Sequence, residues 1–63
     1  MKKLIITNGT QYIQETESDY CLTTDINKAN NFRWYWLFIS KKIILEGIRN
    51  RFGNQYSYKY IGG

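Results

Sequence analysis

Short stretches of β-forming residues at the start of the chain predict a hairpin. KLIIT over residues 3–7 is rich in β-branched side chains, and Asn8-Gly9 follows it directly. Asn-Gly is the strongest short hairpin signal, because both residues tolerate the positive φ that a type I′ turn requires. We therefore predict a two-residue turn, with a second strand returning over residues 11–14.

The next segment predicts a third strand and a short helix. A polar, acidic loop over residues 15–19 precedes YCLTT, a β-rich stretch over residues 20–24. Thr24 or Asp25 then provides a side chain that accepts hydrogen bonds from the free amides of a helix start. We expect one or two helical turns over residues 26–31, ended by the asparagine pair.

Residues 33–39, RWYWLFI, fit two structures. As a strand, the segment would be central in a sheet and covered on both sides. As a helix continuing to Phe52, it would place Lys41 in the middle of the apolar face. Because of that conflict we favour a strand that ends before Ser40, which is itself a good N-cap residue.

Residues 41–52 have the periodicity of an amphipathic helix. The apolar side chains that share one face are Ile44, Leu45, Ile48 and Phe52. The charged side chains on the other side, spaced for ion pairs, are Lys42, Glu46 and Arg49. Gly47 costs about 1 kcal/mol relative to alanine inside a helix, which suggests that something approaches its backbone closely. Gly53 is suited to the position that ends the helix.

A last strand is predicted over residues 55–61. The element order is then β-β-β-short α-β-α-β. Such an order predicts a small α+β domain over residues 1–63, with one main helix on one face of a mostly antiparallel sheet.

Composition narrows the setting of this domain. The 63 residues include one cysteine and no histidine, so an internal disulfide cannot form and a reducing compartment is expected. The N-terminal apolar run is too short for the core of a signal peptide. The chain also lacks the roughly 18 consecutive apolar residues of a membrane span. We expect a cytoplasmic protein.

Charge is distributed unevenly around a net value of +4. Residues 1–25 contain two basic and four acidic side chains, whereas residues 26–63 contain seven basic side chains and one acidic side chain. The C-terminal part could therefore attract a polyanion.

The segment CLTTDINKANNF adds a resemblance. Its pattern Leu-Thr-x-Asp-Ile-x-x-Ala-x-x-Phe resembles an element of small uncharacterised proteins encoded by phages and prophages of Gram-positive bacteria. The residues that carry the resemblance are Leu22, Thr23, Asp25, Ile26, Ala29 and Phe32. The resemblance implies an origin in a mobile element and assigns no catalytic residue, and the WYWLFI run departs from the pattern. The same spacing would also result if the apolar members all faced the core.

The residues do not favour catalysis. Without histidine the usual general base and the Ser-His and Cys-His pairs are missing. Cys21 lies in an apolar stretch without a basic neighbour, which is typical of an inert thiol. The alternating carboxylates of residues 15–19 lack the spacing of a calcium loop. We therefore expect a protein that is not an enzyme and that holds no metal or cofactor.

Two surfaces are candidates for binding. The tyrosine row at the C-terminus would be a core feature if it faced the helix, and a base-stacking platform if it faced solvent beside basic side chains. The residues of that nucleic-acid alternative are Tyr56, Tyr58, Tyr60, Lys59, Arg49 and Arg51. We favour the core interpretation, because Lys59 falls on the opposite face of the strand from the rings.

The second candidate is the aromatic run, which holds more bulky apolar side chain than one helix can cover. Its candidate partner-binding residues are Trp34, Tyr35, Trp36 and Phe38. Tryptophan and tyrosine are enriched at the energetic centres of interfaces, so docking to a protein partner is our first hypothesis. Self-association is expected from the same surplus, and attachment to a membrane surface through the run is the least favoured use. No small-molecule substrate is inferred.

Overall fold

The computed structural model describes residues 2–33 and 40–62, which form a four-stranded sheet and one α-helix. The elements are β1 (Lys3–Thr7), β2 (Tyr12–Glu15), β3 (Tyr20–Thr23), a 3₁₀ turn (Ile26–Lys28), α1 (Lys41–Phe52) and β4 (Ser57–Ile61). The strand order is β3-β2-β1-β4, and each neighbouring pair is antiparallel. The predicted small α+β fold is confirmed.

The turn between β1 and β2 is longer than predicted. Thr7 pairs with Tyr12, so four residues connect the strands, and only Gly9 has a positive φ, of 104°. The Asn8 side-chain oxygen accepts hydrogen bonds from the backbone N–H groups of Thr10 (3.0 Å) and Gln11 (2.7 Å). The type I′ prediction is therefore wrong, because Asn8 keeps a negative φ and uses its amide oxygen to close the loop.

Residues 30–32 fill a split between β1 and β2. The Asn30 N–H donates to the Ile13 carbonyl at 2.9 Å, and the Phe32 N–H donates to the Leu4 carbonyl at 2.7 Å. The Asn31 side-chain oxygen accepts from the Leu4 N–H at 3.1 Å. This wedge (residues 30–32) supplies hydrogen bonds to strand backbone that would be costly to leave unpaired.

Helix α1 has the boundaries predicted for it. The Ser40 hydroxyl accepts a hydrogen bond from the Lys42 N–H at 3.2 Å, and the Gly53 N–H donates to the Arg49 carbonyl at 3.0 Å. Ser40 has a ψ of 131°, which no α-helical residue adopts, so a single helix from residue 33 to Phe52 is excluded. The predicted strand lies, apart from Arg33, outside the described residues.

Helix α1 packs on one face of the sheet. The buried side chains of this core are Ile6, Ile13, Phe32, Ile44, Ile48 and Tyr56, and those partly buried against it are Tyr20, Leu45, Phe52 and Tyr58. The predicted apolar face of the helix is thus confirmed. Ile5 points to the opposite face of β1 and is also fully buried, so this central strand is covered on both faces within one chain.

The segment that carries the phage-protein resemblance only half faces the core. Ala29 and Phe32 are buried, whereas Leu22 is 37% and Ile26 is 40% exposed. The alternative explanation, in which all four apolar members face the core, therefore holds only for Ala29 and Phe32. The helical part is a single 3₁₀ turn capped by Asp25, whose carboxylate accepts from the Asn27 N–H at 2.9 Å.

Candidate functional site

An apolar groove of about 370 Å³ lies between the β2–β3 turn and one side of α1. The turn contributes Asp19 and Tyr20, and the helix contributes Ile43, Ile44, Gly47, Ile48 and Arg51. Ligand sites are typically concave, mostly apolar and fitted with a few polar groups at their edge. This groove, as defined by these seven residues, has those features.

The helix side of the groove contains an exposed isoleucine and a gap. Ile44 and Ile48 point into the core, whereas Ile43 is 63% exposed. At Gly47, which is also exposed, an added Cβ would meet no atom of the described residues within 4 Å beyond its own helix backbone. The missing side chain therefore leaves helix backbone accessible from the groove.

The opposite wall is a closely hydrogen-bonded turn. The Thr16 N–H and hydroxyl both donate to the Asp19 carbonyl at 2.7 Å, and the Asp19 N–H donates back to the Thr16 hydroxyl at 3.1 Å. Behind this turn, the Tyr20 ring lies 5.9 Å from the ring of Phe32. The wall is thus fixed by its own hydrogen bonds and by a contact with the core.

An ion pair between Asp19 and Arg51 closes the groove at one end. The Asp19 carboxylate also accepts from the Tyr20 N–H at 2.8 Å. This backbone hydrogen bond, and after it the Arg51 guanidinium, hold the pKa of Asp19 below its usual value. Arg51 lies 5.0 Å from the centre of the Phe52 ring, a cation–π distance. The carboxylate therefore stays charged at neutral pH.

The three tyrosines of the C-terminal row differ in their exposure. Tyr56 precedes β4 and is 2% exposed, with its ring 6.3 Å from that of Phe52. Tyr58 is half-buried, and its hydroxyl donates to the Lys41 carbonyl at 2.6 Å. Tyr60 is 56% exposed. The row is therefore a core feature at its start and offers one accessible ring at its end.

The basic members of the nucleic-acid alternative lie apart from one another. Arg49 donates from Nε to the Tyr56 carbonyl at 2.8 Å, and it makes no ion pair with Glu46, contrary to the pairing expected from their spacing. Arg51 is joined to Asp19 at the groove. Lys59 pairs with Ile5 of β1 and is exposed on the face away from α1. These cations do not surround the rings.

The predicted partner-binding residues, Trp34, Tyr35, Trp36 and Phe38, lie outside the described residues. The groove itself was missed by sequence reasoning, although two signals pointed to it. Gly47 breaks the helical composition, and Ile43 falls off the apolar face. Neither signal indicates that a turn 24 residues earlier, at Asp19, forms the opposite wall.

Burial raises the pKa of Tyr58 to about 12, so its hydroxyl remains a hydrogen-bond donor at neutral pH. In residues 2–33 and 40–62, no three histidine, cysteine or carboxylate side chains are grouped to hold a metal ion. In the same part of the chain, no helix is both long and apolar enough to cross a membrane.

Comparison with protein-family models, with curated proteins and with solved structures gives no significant match for this chain.

Proposed function

We propose that the chain is a non-enzymatic docking module that binds a protein partner and thereby modulates or inhibits it. The observation that supports this most directly is the groove, with Ile43 exposed at its edge and Gly47 leaving helix backbone open. When a partner covers an exposed apolar side chain beside such a groove, binding is favoured by roughly 25 cal/mol per Å² of apolar surface removed from water.

The aromatic run extends this docking surface along the sequence. Residues 34–39 lead directly into Ser40, which caps the helix that carries Ile43. Tryptophan and tyrosine contribute large contact areas at a low cost in conformational entropy. We assign the run, with Trp34, Tyr35, Trp36 and Phe38, to the same partner. The resemblance around residues 22–32 supports an origin in a phage or prophage and a cytoplasmic place of action in the bacterial host.

The experiment is quantitative affinity capture from the lysate of a Gram-positive host, using the wild-type chain and four variants. Trp34→Ala and Trp36→Ala shorten the aromatic run, and Gly47→Trp fills the groove. Gly47→Ala is the matched control, because the structure leaves room for its methyl group. A protein retained by the wild type and by Gly47→Ala, and lost with the other three, supports the proposal. Equal retention by all five chains contradicts it.

A second candidate function is binding of single-stranded nucleic acid. The observation that favours it is the exposed ring of Tyr60, which lies on an edge strand of the sheet in a chain with a net charge of +4. Stacking on one ring is worth roughly 1–3 kcal/mol per base, and phosphate contacts weaken steeply as salt rises. Fluorescence anisotropy with a labelled oligonucleotide at increasing salt tests this function, with Tyr60→Ala as the variant. Absence of binding at low salt removes this candidate.

A further inference from the structure

We propose that the groove binds a short partner segment in which a bulky apolar side chain is flanked by lysine or arginine. This inference rests on the proposed docking function and specifies the chemistry of the partner. It follows from the size of the groove, from the charge of the surface beside it, and from the position of Gly47.

The size of the groove suits one anchoring side chain. Its volume of about 370 Å³ lies at the lower end of the range of roughly 300–1,000 Å³ that is usual for ligand sites. The other large apolar side chains that are exposed among the described residues, Leu22, Ile26 and Tyr60, are on β3, the 3₁₀ turn and β4. Because these three side chains do not line the groove, they do not extend it into a larger apolar site, and the groove is suited to one anchoring side chain.

The charge requirement comes from a second hollow that adjoins the groove. This acidic hollow, of about 290 Å³, is lined by residues 15–20 and shares Asp19 and Tyr20 with the groove. Asp19 is already engaged by Arg51, whereas Glu17 is exposed and makes no ion pair with another described residue. A cation placed beside the anchor would therefore meet an available carboxylate.

The two hollows place an apolar subsite next to an acidic one. In a segment with its anchor in the groove, a flanking side chain can reach across Tyr20 towards Glu17. Lysine and arginine have the length and the charge for that position, and their apolar stems pack along an aromatic ring. Glutamate there would face like charge, so the charge of the flanking residue is constrained as well as the bulk of the anchor.

Gly47 is the position at which a substitution can fill the groove. The residue lies inside α1 and is exposed, and a Cβ added there is clear of all other described atoms by 4 Å, apart from the backbone of its own helix. Gly47→Trp puts a large ring into the space of the anchor, whereas Gly47→Ala adds a methyl group to the same helix position. Ile43→Ala removes part of the wall, with Ile26→Ala as its control at another exposed isoleucine.

The probe is the capped peptide Gly-Ser-Trp-Lys-Lys-Ser, titrated into isotope-labelled protein while amide chemical shifts are followed. Two control peptides replace the Trp by Ser, or both Lys by Glu. We expect the shifts to centre on Tyr20, Ile43 and Gly47. Loss of the anchor should weaken binding about tenfold or more. The glutamate peptide should bind several-fold more weakly, and this difference should shrink as salt screens the charges.

The variants complete the test. Gly47→Trp and Ile43→Ala should weaken binding of the probe about tenfold, while Ile26→Ala, which lies outside the groove, stays near the wild type. Gly47→Ala adds only a methyl group to the groove and should weaken binding much less than Gly47→Trp. Glu17→Lys should reverse the preference between the lysine and glutamate peptides. The amide spectrum of each variant reports whether it is folded, and Ile43→Ala keeps the test valid if the Trp variant misfolds.

Three results of the peptide titrations would overturn the inference: shifts centred away from the groove, equal affinity for the lysine and glutamate peptides, or no saturation at millimolar peptide. Concentration-dependent shifts at the groove without peptide would also overturn it, because the occupant would then be a second copy of the chain. If the probe fails while host capture is still abolished by Gly47→Trp and kept by Gly47→Ala, only the segment chemistry is wrong. If capture shows no such dependence, the docking function itself fails.

Discussion

Replacing Gly47 by alanine should stabilise the protein, although the residue lies at the centre of the proposed site. Gly47 is in the interior of α1 and is exposed, and apart from the backbone of its own helix no atom of the described residues lies within 4 Å of the position that a Cβ would take. The substitution therefore adds no clash and gains the full difference in helix propensity, about 1 kcal/mol. For a domain of this size, that corresponds to a rise in Tm of about 4–8 °C.

The same substitution at Gly53 should have the opposite effect. Gly53 ends α1 with a φ of 130°, and a Cβ there would lie 2.8 Å from the side-chain oxygen of Gln55. Alanine would have to adopt a backbone conformation that is almost restricted to glycine, at a cost of about 1–3 kcal/mol.

Urea unfolding followed by circular dichroism measures the free energy of unfolding for both variants and the wild type. The reasoning requires Gly47→Ala to be more stable than the wild type and Gly53→Ala to be less stable. A Gly47→Ala variant that is neutral or destabilised would refute it, because other atoms would then occupy the space beside the helix. In that case the groove would not be open to a partner.

Three further outcomes are expected. Asn31→Ala should lower the free energy of unfolding by about 1–3 kcal/mol, because the Leu4 N–H loses its acceptor. Asn31→Asp keeps an oxygen at this position and should lose less stability in the same urea assay. The free energy of unfolding should fall as pH rises from about 10 towards 12, because burial raises the pKa of Tyr58 to about 12 and the folded state therefore holds this proton more tightly than the unfolded chain. Tyr58→Phe should remove this fall, and an unchanged fall in the variant would contradict the assignment to Tyr58. Arg51→Gln should raise the pKa of Asp19 in a carboxyl NMR titration without restoring its usual value, because the hydrogen bond from the Tyr20 N–H remains. The stability that charged Asp19 contributes is present above the pKa of the unfolded state and is lost as pH falls through the pKa of the folded state.

Elements whose signals are local were predictable. The helix from Lys41 to Phe52 was placed correctly, because its cap at Ser40, its apolar face and its terminal glycine all act within a few residues of sequence. The first three strands were found for the same reason. The type I′ turn predicted at Asn8 was wrong, because an asparagine can either adopt a positive φ or accept backbone hydrogen bonds with its side chain. The local sequence does not distinguish these two roles.

Features that join distant segments were decided by the tertiary structure. The wedge of residues 30–32 forms hydrogen bonds with the backbone of two strands that lie 17 or more positions earlier in the chain. No periodic pattern in the sequence predicts these hydrogen bonds. The tyrosine row repeats every second residue, yet Tyr56 and Tyr58 contact residues of α1 whereas Tyr60 is 56% exposed. A periodic pattern defines a face, and only packing decides how much of that face is covered.

The candidate site has the same origin. The sequence by itself determined the helix, its gap at Gly47 and the acidity of the loop over residues 15–19. Only the folded chain placed the loop against the helix, paired Asp19 with Arg51 and left Ile43 exposed at the edge between them. Local propensity acts through neighbouring residues, whereas a groove forms from surfaces that meet only when the whole core has packed.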